Sequence, residues 1–372
     1  MTDDTTTTTV SNRSEIVFAF DAVDANPNGN PLSGANRPRI DPVTEQAIVT
    51  DVRLKRYVRD QLEADGHGVY ITSSRETGEY AKTRETMLKE AIGVTDPDDL
   101  SEDPFSGFLD NAADARYFGA TLSIDTDDNE IVAAIEARDD FPDHLTGPVQ
   151  FSPGKTLHPV ERNEEYNSLT SVIGTDDEKQ QGGFDLDDHR IKYGFVGFHG
   201  IVDANGAAET HLSEADVRRL DTVLWRALKN QTVSRSKKGQ EPRLYLRVEY
   251  DSPEYHIGGL THDLDVRGAR AAGAETEPRE FRTVRDVVVE TETLLDRLAD
   301  AAERIDTVHI VSDGVVEYDV GQWAGETSRD GRDDEAVGAE EFVTALGEAV
   351  GPDQVRTIDV YEEYEATLPG SE

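Results

Sequence analysis

The sequence predicts an α+β fold in which one sheet-based domain carries long insertions. Several stretches alternate apolar and polar residues, as strands do, whereas few have the 3.6-residue period of an amphipathic helix. Long polar segments with neither period separate them, and strands mixed with few helices favour an α+β sandwich. A chain of 372 residues has the length of two or three domains or of one decorated domain, and we expect one domain over 15–372.

The N-terminal part contains one predicted strand and one predicted helix. Residues 1–14 are rich in Thr and Asp, so we expect a disordered tail there. Residues 15–24 alternate in polarity and predict a strand. Residues 25–49 are rich in Pro, Gly and Asn and predict a long loop, which is followed by a helix from about Thr50 to Ala64.

The middle of the chain has weaker local patterns. Residues 80–115 are predicted to be partly helical. Residues 117–124 and 131–137 predict two strands on either side of an acidic turn at 125–130. Residues 152–190 are polar and have no clear period, so no regular element is predicted for them.

The next part of the chain has the clearest patterns. Residues 192–203 predict a buried central strand, because both of its faces are largely apolar. A helix is predicted over residues 213–229, where Ser213 and Asp216 have the spacing of a capping box and four apolar residues recur on one face. Residues 244–250 predict another strand.

The composition excludes several kinds of chemistry. There is no cysteine, which excludes disulfides, cysteine–zinc sites, iron–sulfur clusters and thiol nucleophiles. No apolar run approaches the ~18 residues of a membrane span, and no basic segment followed by an apolar stretch indicates a secretory signal. We therefore expect a soluble, cytoplasmic protein with no membrane partner.

The net charge of −40, from 37 basic and 77 acidic residues, has three interpretations. It is compatible with disorder, with repulsion of nucleic acid, or with adaptation to molar salt, where the Debye length falls to ~3 Å. Clusters of aromatic and aliphatic residues argue against disorder. The 42 Asp and the excess of 28 Arg over 9 Lys favour a halophilic protein, in which surviving clusters of positive charge become informative.

Two such basic clusters stand out. The first lies opposite the apolar stripe of the predicted helix at 50–64 and contains Arg53, Lys55, Arg56 and Arg59. The second is the segment 226–247, in which seven cations, including Arg235, Lys237 and Lys238, oppose one acid. Either cluster is open to two readings, as a solvated surface paired with nearby acids or as a contact to nucleic-acid phosphates.

Three other motifs carry no specific chemistry. Gly154-Lys155-Thr156 ends like a phosphate-binding loop, but Val149 occupies the position of the required first glycine. Residues 125–136 begin like a calcium loop, but Glu130 replaces the glycine of its sharp turn. The nine histidines have no metal-ligand spacing, and we interpret His199 as a satisfied core residue. We expect no metal and no cofactor.

An ordered set of motifs over residues 15–250 resembles the Cas-seven family of CRISPR-associated backbone subunits, closest to its type I-B branch. The first three are Asn26-Pro27-Asn28-Gly29-Asn30-Pro31, Pro38-Arg39-Ile40-Asp41-Pro42 and the basic helix from Thr50 to Arg59. Later motifs follow in the family's order: Tyr117-Phe118-Gly119-Ala120, Gly147-Pro148-Val149-Gln150-Phe151, Tyr193-Gly194-Phe195 and His199-Gly200.

The resemblance implies a modified RNA-recognition-motif (ferredoxin-like) core, or palm, with a helical finger insertion at 80–147 and a thumb hairpin at 157–191. Copies would stack along CRISPR RNA as the helical backbone of a type I Cascade complex, with other Cascade subunits as partners. The guide would remain free to pair with target DNA. Each thumb would press between bases, and its apolar wedge would comprise Leu169, Thr170, Val172 and Ile173. No catalytic residue is expected, and Asp21 and Asp24 are interpreted as acidic loop residues.

The predicted RNA-binding residues come from the family motifs and from the two basic clusters. The motif match places Asn26, Asn28 and Arg39 beside the RNA or the next subunit, and the basic helix on the RNA backbone. The full set is Arg53, Lys55, Arg56, Arg59, Asn26, Asn28, Arg39, Lys155, Arg235, Lys237 and Lys238.

Two other functions remain open at this point. One is a CRISPR RNA-processing endonuclease on a related fold, with a histidine or an aspartate as general acid or base. The other is a halophilic metabolic enzyme with a preformed small-molecule pocket. RNA that is retained without being cleaved distinguishes a binding scaffold from both.

Overall fold

A computed structural model describes residues 8–29, 37–72, 83–94, 96–123, 130–138, 140–164, 169–170, 185–186, 189–231, 237–271, 274–324 and 336–370. Within these ranges, the strands are β1 Ser14–Ala25, β2 Arg39–Ile40, β3 Ala47–Val49, β4 Gly119–Thr121, β5 His144–Thr146, β6 Val149–Phe151, β7 Gly154–Thr156, β8 Arg162–Asn163, β9 Leu169–Thr170, β10 Asp185–Leu186, β11 Arg190–Val202, β12 Gln240–Tyr250, β13 Asp265–Gly268, β14 Arg270–Ala271, β15 Ala274–Glu275, β16 Val287–Glu290, β17 Ile305–Ser312, β18 Glu317–Asp319 and β19 Val355–Thr357.

The α-helices in the same ranges are α1 Asp51–Ala64, α2 Arg84–Ile92, α3 Pro104–Asn111, α4 Ala113–Phe118, α5 Glu130–Glu136, α6 Ala204–Thr210, α7 Glu214–Lys229, α8 Glu292–Asp300, α9 Ala339–Val350 and α10 Val360–Glu363. No helix in the described part of the chain is long and apolar enough to cross a membrane.

The main sheet is built around β1, which is antiparallel to β11 on one side and to β12 on the other. The strand order is β19-β17-β12-β1-β11-β7-β3-β2, and β6 and β8 also pair with β11. Phe18 of β1 lies opposite Phe198 on β11 and Tyr245 on β12. A strand with neighbours on both edges and helices over both faces is buried throughout, which confirms the three strands predicted for these segments.

The two faces of this sheet carry separate apolar cores. One core joins Phe18 and Phe198 to the apolar faces of α1 and α7. The other joins Val17 and Leu246 to the apolar faces of α8 and α9. Successive residues of β1 point to opposite faces, so this strand contributes to both cores in alternation. The main sheet is antiparallel except for the parallel pair β17 and β19, and helices pack on its faces, which confirms the α+β class.

The helices α1 and α7 begin where the sequence predicted them. The Thr50 side chain accepts a hydrogen bond from the Arg53 N–H at the start of α1. Ser213 and Asp216 form the reciprocal capping box that begins α7. These caps satisfy backbone N–H groups that have no partner within the helix, and both sequence predictions are confirmed.

A third apolar cluster lies in the insertion between α1 and β6. It is formed by side chains of α2, α3 and α5, together with Tyr70 and Leu145. Its aromatic contacts include the edge-on pair of Tyr70 and Phe108, whose ring centroids are 5.3 Å apart. The insertion therefore folds around its own small core.

The strands predicted at 117–124 and 131–137 are wrong for most of their length. The first segment ends α4 and continues into the short β4, whereas the second forms most of α5. The buried residues of α5 are Ile131, Val132 and Ile135, whose spacing is that of a helix face. A short apolar run of this kind does not distinguish strand from helix. The predicted turn between them falls largely on residues outside the described ranges.

The predicted tail and the predicted loop are both partly structured. Within the expected disordered tail 1–14, Val10 is buried and its N–H donates to the Leu212 carbonyl at 3.1 Å. The disorder prediction is therefore wrong for residues 8–14, which pack beside α7, and residues 1–7 lie outside the described part. The loop predicted at 25–49 contains β2 and β3, which extend the main sheet.

Candidate nucleic-acid interface

The basic face of α1 is covered by the insertion and does not face open solvent. Arg59 Nε donates to Asp114 Oδ2 at 2.7 Å, and Lys55 Nζ donates to Gln150 Oε1 at 2.8 Å. Both cations also lie over the Phe118 ring, at 5.3 Å for Arg59 and 5.5 Å for Lys55. The prediction of a solvent-facing basic stripe is wrong here, because α4 and β6 pack where solvent was expected.

Asp114 fixes the contact between α1 and the insertion. Its carboxylate is fully buried, and it accepts hydrogen bonds from the Tyr70 N–H at 2.6 Å and the Ile71 N–H at 3.2 Å, in addition to Arg59. Burial of a carboxylate is favourable only when it is paired and fully hydrogen-bonded, and these three donors meet that condition.

The other two cations of α1 are also engaged within the chain. Arg56 Nε donates to Asp60 Oδ1 at 2.8 Å, and its Nη1 donates to the Ile71 carbonyl at 3.0 Å. Arg53 Nη2 donates to the Gly29 carbonyl at 2.9 Å. The exposed fractions of the side chains of Lys55, Arg56 and Arg59 are 12%, 22% and 14%, so little of their surface is available to a ligand.

The loop Asn26–Gly29 is held rigidly against the start of α1. Asn28 Oδ1 accepts from both the N–H and the hydroxyl of Thr50, each at 3.0 Å. Tyr57 donates its hydroxyl to the Pro27 carbonyl at 3.1 Å. These contacts leave Asn28 half-buried and attach the loop to the helix cap.

Lys237 is a structural clamp on this loop. Its ammonium group donates to the carbonyls of Asn26, Pro27 and Gly29 at 2.9, 3.1 and 2.8 Å. The residue is 4% exposed, and burial, with a smaller effect of the nearby Arg53 charge, lowers the pKa of Lys237 to about 7. The predicted RNA contacts of Lys237 and of the buried Asn26 are corrected accordingly, because neither side chain reaches the surface.

Most of the second basic cluster is neutralised in the same way. Arg247 is buried and pairs with Asp221 at 2.6 Å, and Arg243 pairs with Asp21 at 3.0 Å. Arg226 is buried against Asp65. The clustering in sequence therefore does not produce a continuous basic surface, because the strand β12 and the helix α7 direct these cations inward.

Three of the predicted residues are exposed and could contact a ligand. Arg39, Lys155 and Lys238 are exposed, and we find no hydrogen bond or ion pair for their side chains among the residues that the structure describes. Lys155 still acts electrostatically, because it contributes to lowering the pKa of Asp41, after larger effects of hydrogen bonds from the N–H groups of Thr44 and Val43.

Arg39 and Lys155 lie in one transverse row of the sheet. Arg39 on β2 is opposite Ile48 on β3, Ile48 is opposite Lys155 on β7, and Lys155 is opposite Gly197 on β11. Residues opposite one another in a sheet share a face, and two strand spacings correspond to about 10 Å. We call this row, from Arg39 to Gly197, the cationic row. Because β3 leads directly into Thr50, the row lies near the clamped loop.

The predicted thumb is described only in part. Residues 169–170 of β9 pair antiparallel with residues 185–186 of β10, and Arg162 of β8 lies opposite Ile191 of β11. The segment therefore leaves and rejoins the sheet at adjacent positions. Of the predicted wedge, Val172 and Ile173 lie outside the described residues, as does Arg235 of the basic cluster, and for Leu169 and Thr170 the structure describes the backbone.

Three basic residues that the sequence analysis missed surround a small cavity where the thumb segment joins the sheet. They are Arg37, Arg162 and Arg190. Residues so far apart in the chain produce no local pattern, so only the strand register could have indicated their proximity.

The candidate acids and the candidate histidine have structural partners. Asp21 lies within β1 and not in a loop as predicted, is fully buried beside Arg243, and has its pKa raised to about 6 by burial. Asp24 also lies within β1 and not in a loop as predicted, and it accepts a hydrogen bond from Asn163 Nδ2 at 2.6 Å. His199 Nε2 pairs with Glu15 Oε1 at 2.8 Å, which confirms its interpretation as a satisfied residue. No group of three potential metal ligands occurs within the described ranges.

The chain is similar to several known proteins. The family profile "CRISPR-associated protein Cas7" matches residues 12–292. A protein from Haloferax volcanii described as "CRISPR-associated protein Cas7" is 50% identical over 360 residues, which cover 95% of this chain and 98% of the relative. A solved chain titled "CRISPR RNA-guided surveillance complex, pre-nicking" aligns with a TM-score of 0.45 and 14% identity, over 97% of this chain and 100% of that chain. A second, titled "CRISPR RNA-guided surveillance complex", gives 0.40 and 14%, over 81% and 88%.

Proposed function

The chain belongs to the CRISPR-associated protein Cas7 family, and on that basis we propose that it is a CRISPR RNA-binding backbone subunit of a type I Cascade interference complex. The observation on this chain that supports the proposal best is the cationic row. In a protein of net charge −40, Arg39 and Lys155 are exposed, without ion-pair partners in the described part, and aligned on one face of the sheet.

The palm of the subunit is proposed to be an RNA-recognition-motif core. The order β12-β1-β11-β7, with α1 after β1 and α7 after β11, is that of a β-α-β-β-α-β unit in which β7 is the second strand. β7 is antiparallel to β11, which is antiparallel to β1, so β7 and β1 run in the same direction, as this topology requires. The finger would then be the insertion before β6, and the thumb the insertion before β11.

RNA is proposed to lie across the cationic row, with its phosphates on Arg39 and Lys155, and Lys238, which precedes β12, is proposed as a separate phosphate contact. Exposed cations on a rigid sheet contact phosphate oxygens without reading sequence, which suits a subunit that must accept any guide. The paired cations of α1 attach the insertion and the loop Asn26–Gly29 to the helix. The wedge residues 169–173 would press between bases. The bases between wedges would remain free to pair with target DNA.

Copies of the subunit are proposed to assemble head to tail along the RNA. Heterologous contacts generate open stacks whose length is not fixed by closure, so the RNA would set the number of copies. Mass measurement on guides of increasing length should show a stepwise increase in the number of bound subunits. A dimer of constant mass on every guide would contradict this assembly.

The RNA-binding proposal is tested with a charge-matched pair of double variants. Arg39→Gln/Lys155→Gln should weaken binding of single-stranded RNA, because two phosphate contacts are lost. The slope of log affinity against log salt concentration should decrease in magnitude by ~1.4, at ~0.7 per contact. The control is Arg218→Gln/Arg285→Gln, in which both arginines are exposed and their side chains make no hydrogen bond or ion pair within the described residues.

The same experiment separates the proposal from its alternatives. Equal slopes for the test and control variants would refute the assignment of the cationic row. Failure of the wild-type protein to retain CRISPR RNA would refute the proposed function. Cleavage of repeat RNA by the pure protein would instead identify a processing nuclease.

A further inference from the structure

The thumb segment joins the sheet beside a cavity of about 220 Å³. Two of its walls are β8 and the start of β11, which are brought together where Asn163 lies opposite Arg190. The third wall comes from the residues that precede β2. Its polar lining residues are Arg37, Arg162, Asn163, Glu164, His189 and Arg190. We call this space the thumb-base cavity.

The described lining of the thumb-base cavity is rich in arginine. Its lining contains three guanidinium groups and one carboxylate, Glu164, whereas the whole chain has about two acids for each base. Arg162 is exposed and makes no side-chain hydrogen bond or ion pair within the described residues. In the same part of the chain, Arg37 is hydrogen-bonded to a ring nitrogen, with its Nε donating to His189 Nε2 at 3.2 Å.

The polar groups around the cavity are held in place. The Asp24 carboxylate accepts from Asn163 Nδ2 at 2.6 Å, and Arg190 Nη1 donates to the Asp24 backbone carbonyl at 3.0 Å. The exposed Arg162 and the Arg37 bonded to His189 line the same space, and two neighbouring guanidinium groups favour an anion.

The cavity is large enough for a phosphate group. Its volume of about 220 Å³ is many times the ~10–15 Å³ that a cavity needs to hold one water, so one tetrahedral anion fits with water beside it. Planar guanidinium groups match phosphate oxygens in a bidentate manner. Arg37 also precedes Arg39 by two residues, so the cavity continues the cationic row towards the thumb.

We infer that the thumb-base cavity binds one phosphate group of the bound RNA through Arg162 and Arg37, at the point where the RNA backbone passes from the palm to the thumb. This inference rests on the proposed RNA-binding function and adds a positioning site to it. The shared chemistry is a phosphate group, which could be an internal phosphodiester or a terminal phosphate.

The test measures the energetic coupling between Arg162 and individual phosphates. A short single-stranded RNA is synthesised with one neutral methylphosphonate at each position in turn, and its affinity is measured for the wild type, Arg162→Gln and Arg218→Gln. At the position held by the cavity, neutralisation should weaken wild-type binding about tenfold, since charge-assisted contacts contribute at this level. Arg162→Gln should show no further loss there, and Arg218→Gln should retain the full loss.

The outcomes distinguish this inference from the proposed function. A scan for Arg162→Gln that parallels the wild-type scan at every position, with RNA still bound, overturns the cavity assignment and leaves RNA binding intact. Absence of wild-type binding contradicts the proposed function itself. A coupled loss at an internal position supports a phosphodiester, whereas a loss confined to removal of the 5′-phosphate supports a terminal group. Because Arg162 is exposed, unfolding curves should show Arg162→Gln to be folded.

Discussion

Replacing Asp114 with Ala should destabilise the fold more than it impairs any RNA contact. Asp114 is fully buried and accepts from Arg59 Nε at 2.7 Å and from the N–H groups of Tyr70 and Ile71 at 2.6 and 3.2 Å. The substitution leaves a largely buried guanidinium without its carboxylate and two backbone donors without an acceptor. These are the conditions under which a single change has a large cost.

The magnitude has two contributions. Removing one partner of a buried ion pair costs about 3–5 kcal/mol. The two N–H groups left without an acceptor add about 1–3 kcal/mol each. The total loss should therefore be at least about 5 kcal/mol, a large part of the free energy of unfolding of an ordinary domain. Arg59→Ala should cost less, because the Asp114 carboxylate would keep its two backbone donors.

The assay is urea unfolding at constant high KCl, followed by circular dichroism, for the wild type, Asp114→Ala, Arg59→Ala and the double variant. Because the two residues act as one pair, the double variant should lose less stability than the sum of the single losses. Hydrogen exchange at the Tyr70 and Ile71 amides reports the same contact locally. Arg39→Gln is the control, since Arg39 is exposed and its loss should leave stability unchanged.

The opposite pattern would refute the reasoning. If Arg59→Ala were as stable as the wild type and lost RNA affinity with a reduced salt slope, the helix cations would be phosphate contacts, as the sequence alone suggested. A loss below about 1 kcal/mol in Asp114→Ala would show that the buried pair contributes no more than a surface salt bridge.

Three further predictions concern pH, glycine and salt. Burial raises the pKa of Asp216, but the hydrogen bond and charge of Arg116 outweigh burial and lower this pKa to about 2. Roughly 2 kcal/mol of stability should therefore be present above pH 4 and lost as the pH falls towards 2, and acid titration should find this effect absent in Asp216→Asn. Gly239→Ala should lower the free energy of unfolding by at least about 2 kcal/mol, because φ at Gly239 is +106° and the added Cβ would lie 2.4 Å from the Val23 carbonyl oxygen. The control is Gly107→Ala, which lies in a helix with open space around it and should raise the free energy of unfolding by up to about 1 kcal/mol. The folded fraction should increase from about 0.2 to about 3 M KCl as the −40 charge is screened, and RNA should remain bound; maximal stability at the low end would contradict adaptation to salt.

Local patterns explain why some elements could be predicted. The capping box of Ser213 and Asp216 and the apolar stripe that follows are both properties of adjacent turns, so α7 was predictable within one residue. The buried strand β11 was predictable because both of its faces are apolar. By contrast, the short apolar run of α5 fits either period, and its helical state depends on packing within the insertion.

The sequence predicted which residue types form the candidate site, but not which of them are exposed and which are buried. Of the cations proposed from sequence, Arg39, Lys155 and Lys238 are exposed, whereas Lys237 is buried beneath the loop Asn26–Gly29. Lys237 and Lys238 are neighbours with the same side chain, so no property of the local sequence separates them. Their backbone positions in the turn before β12 decide which one faces the core.

The sequence by itself determined the family, the α+β class, the main helices and strands, and the scarcity of positive charge against which each cation must be judged. Those properties depend on composition and on residues close together in the chain. The tertiary structure alone decided which cations are free, because a cation is neutralised by acids such as Asp114, which lies 55 residues from Arg59. It also decided where Arg37 and Arg162 meet, since the register of a sheet joins residues that the chain keeps far apart. Whether a cation can contact a ligand depends on the groups around it in three dimensions. The candidate interface could therefore be identified only from the fold.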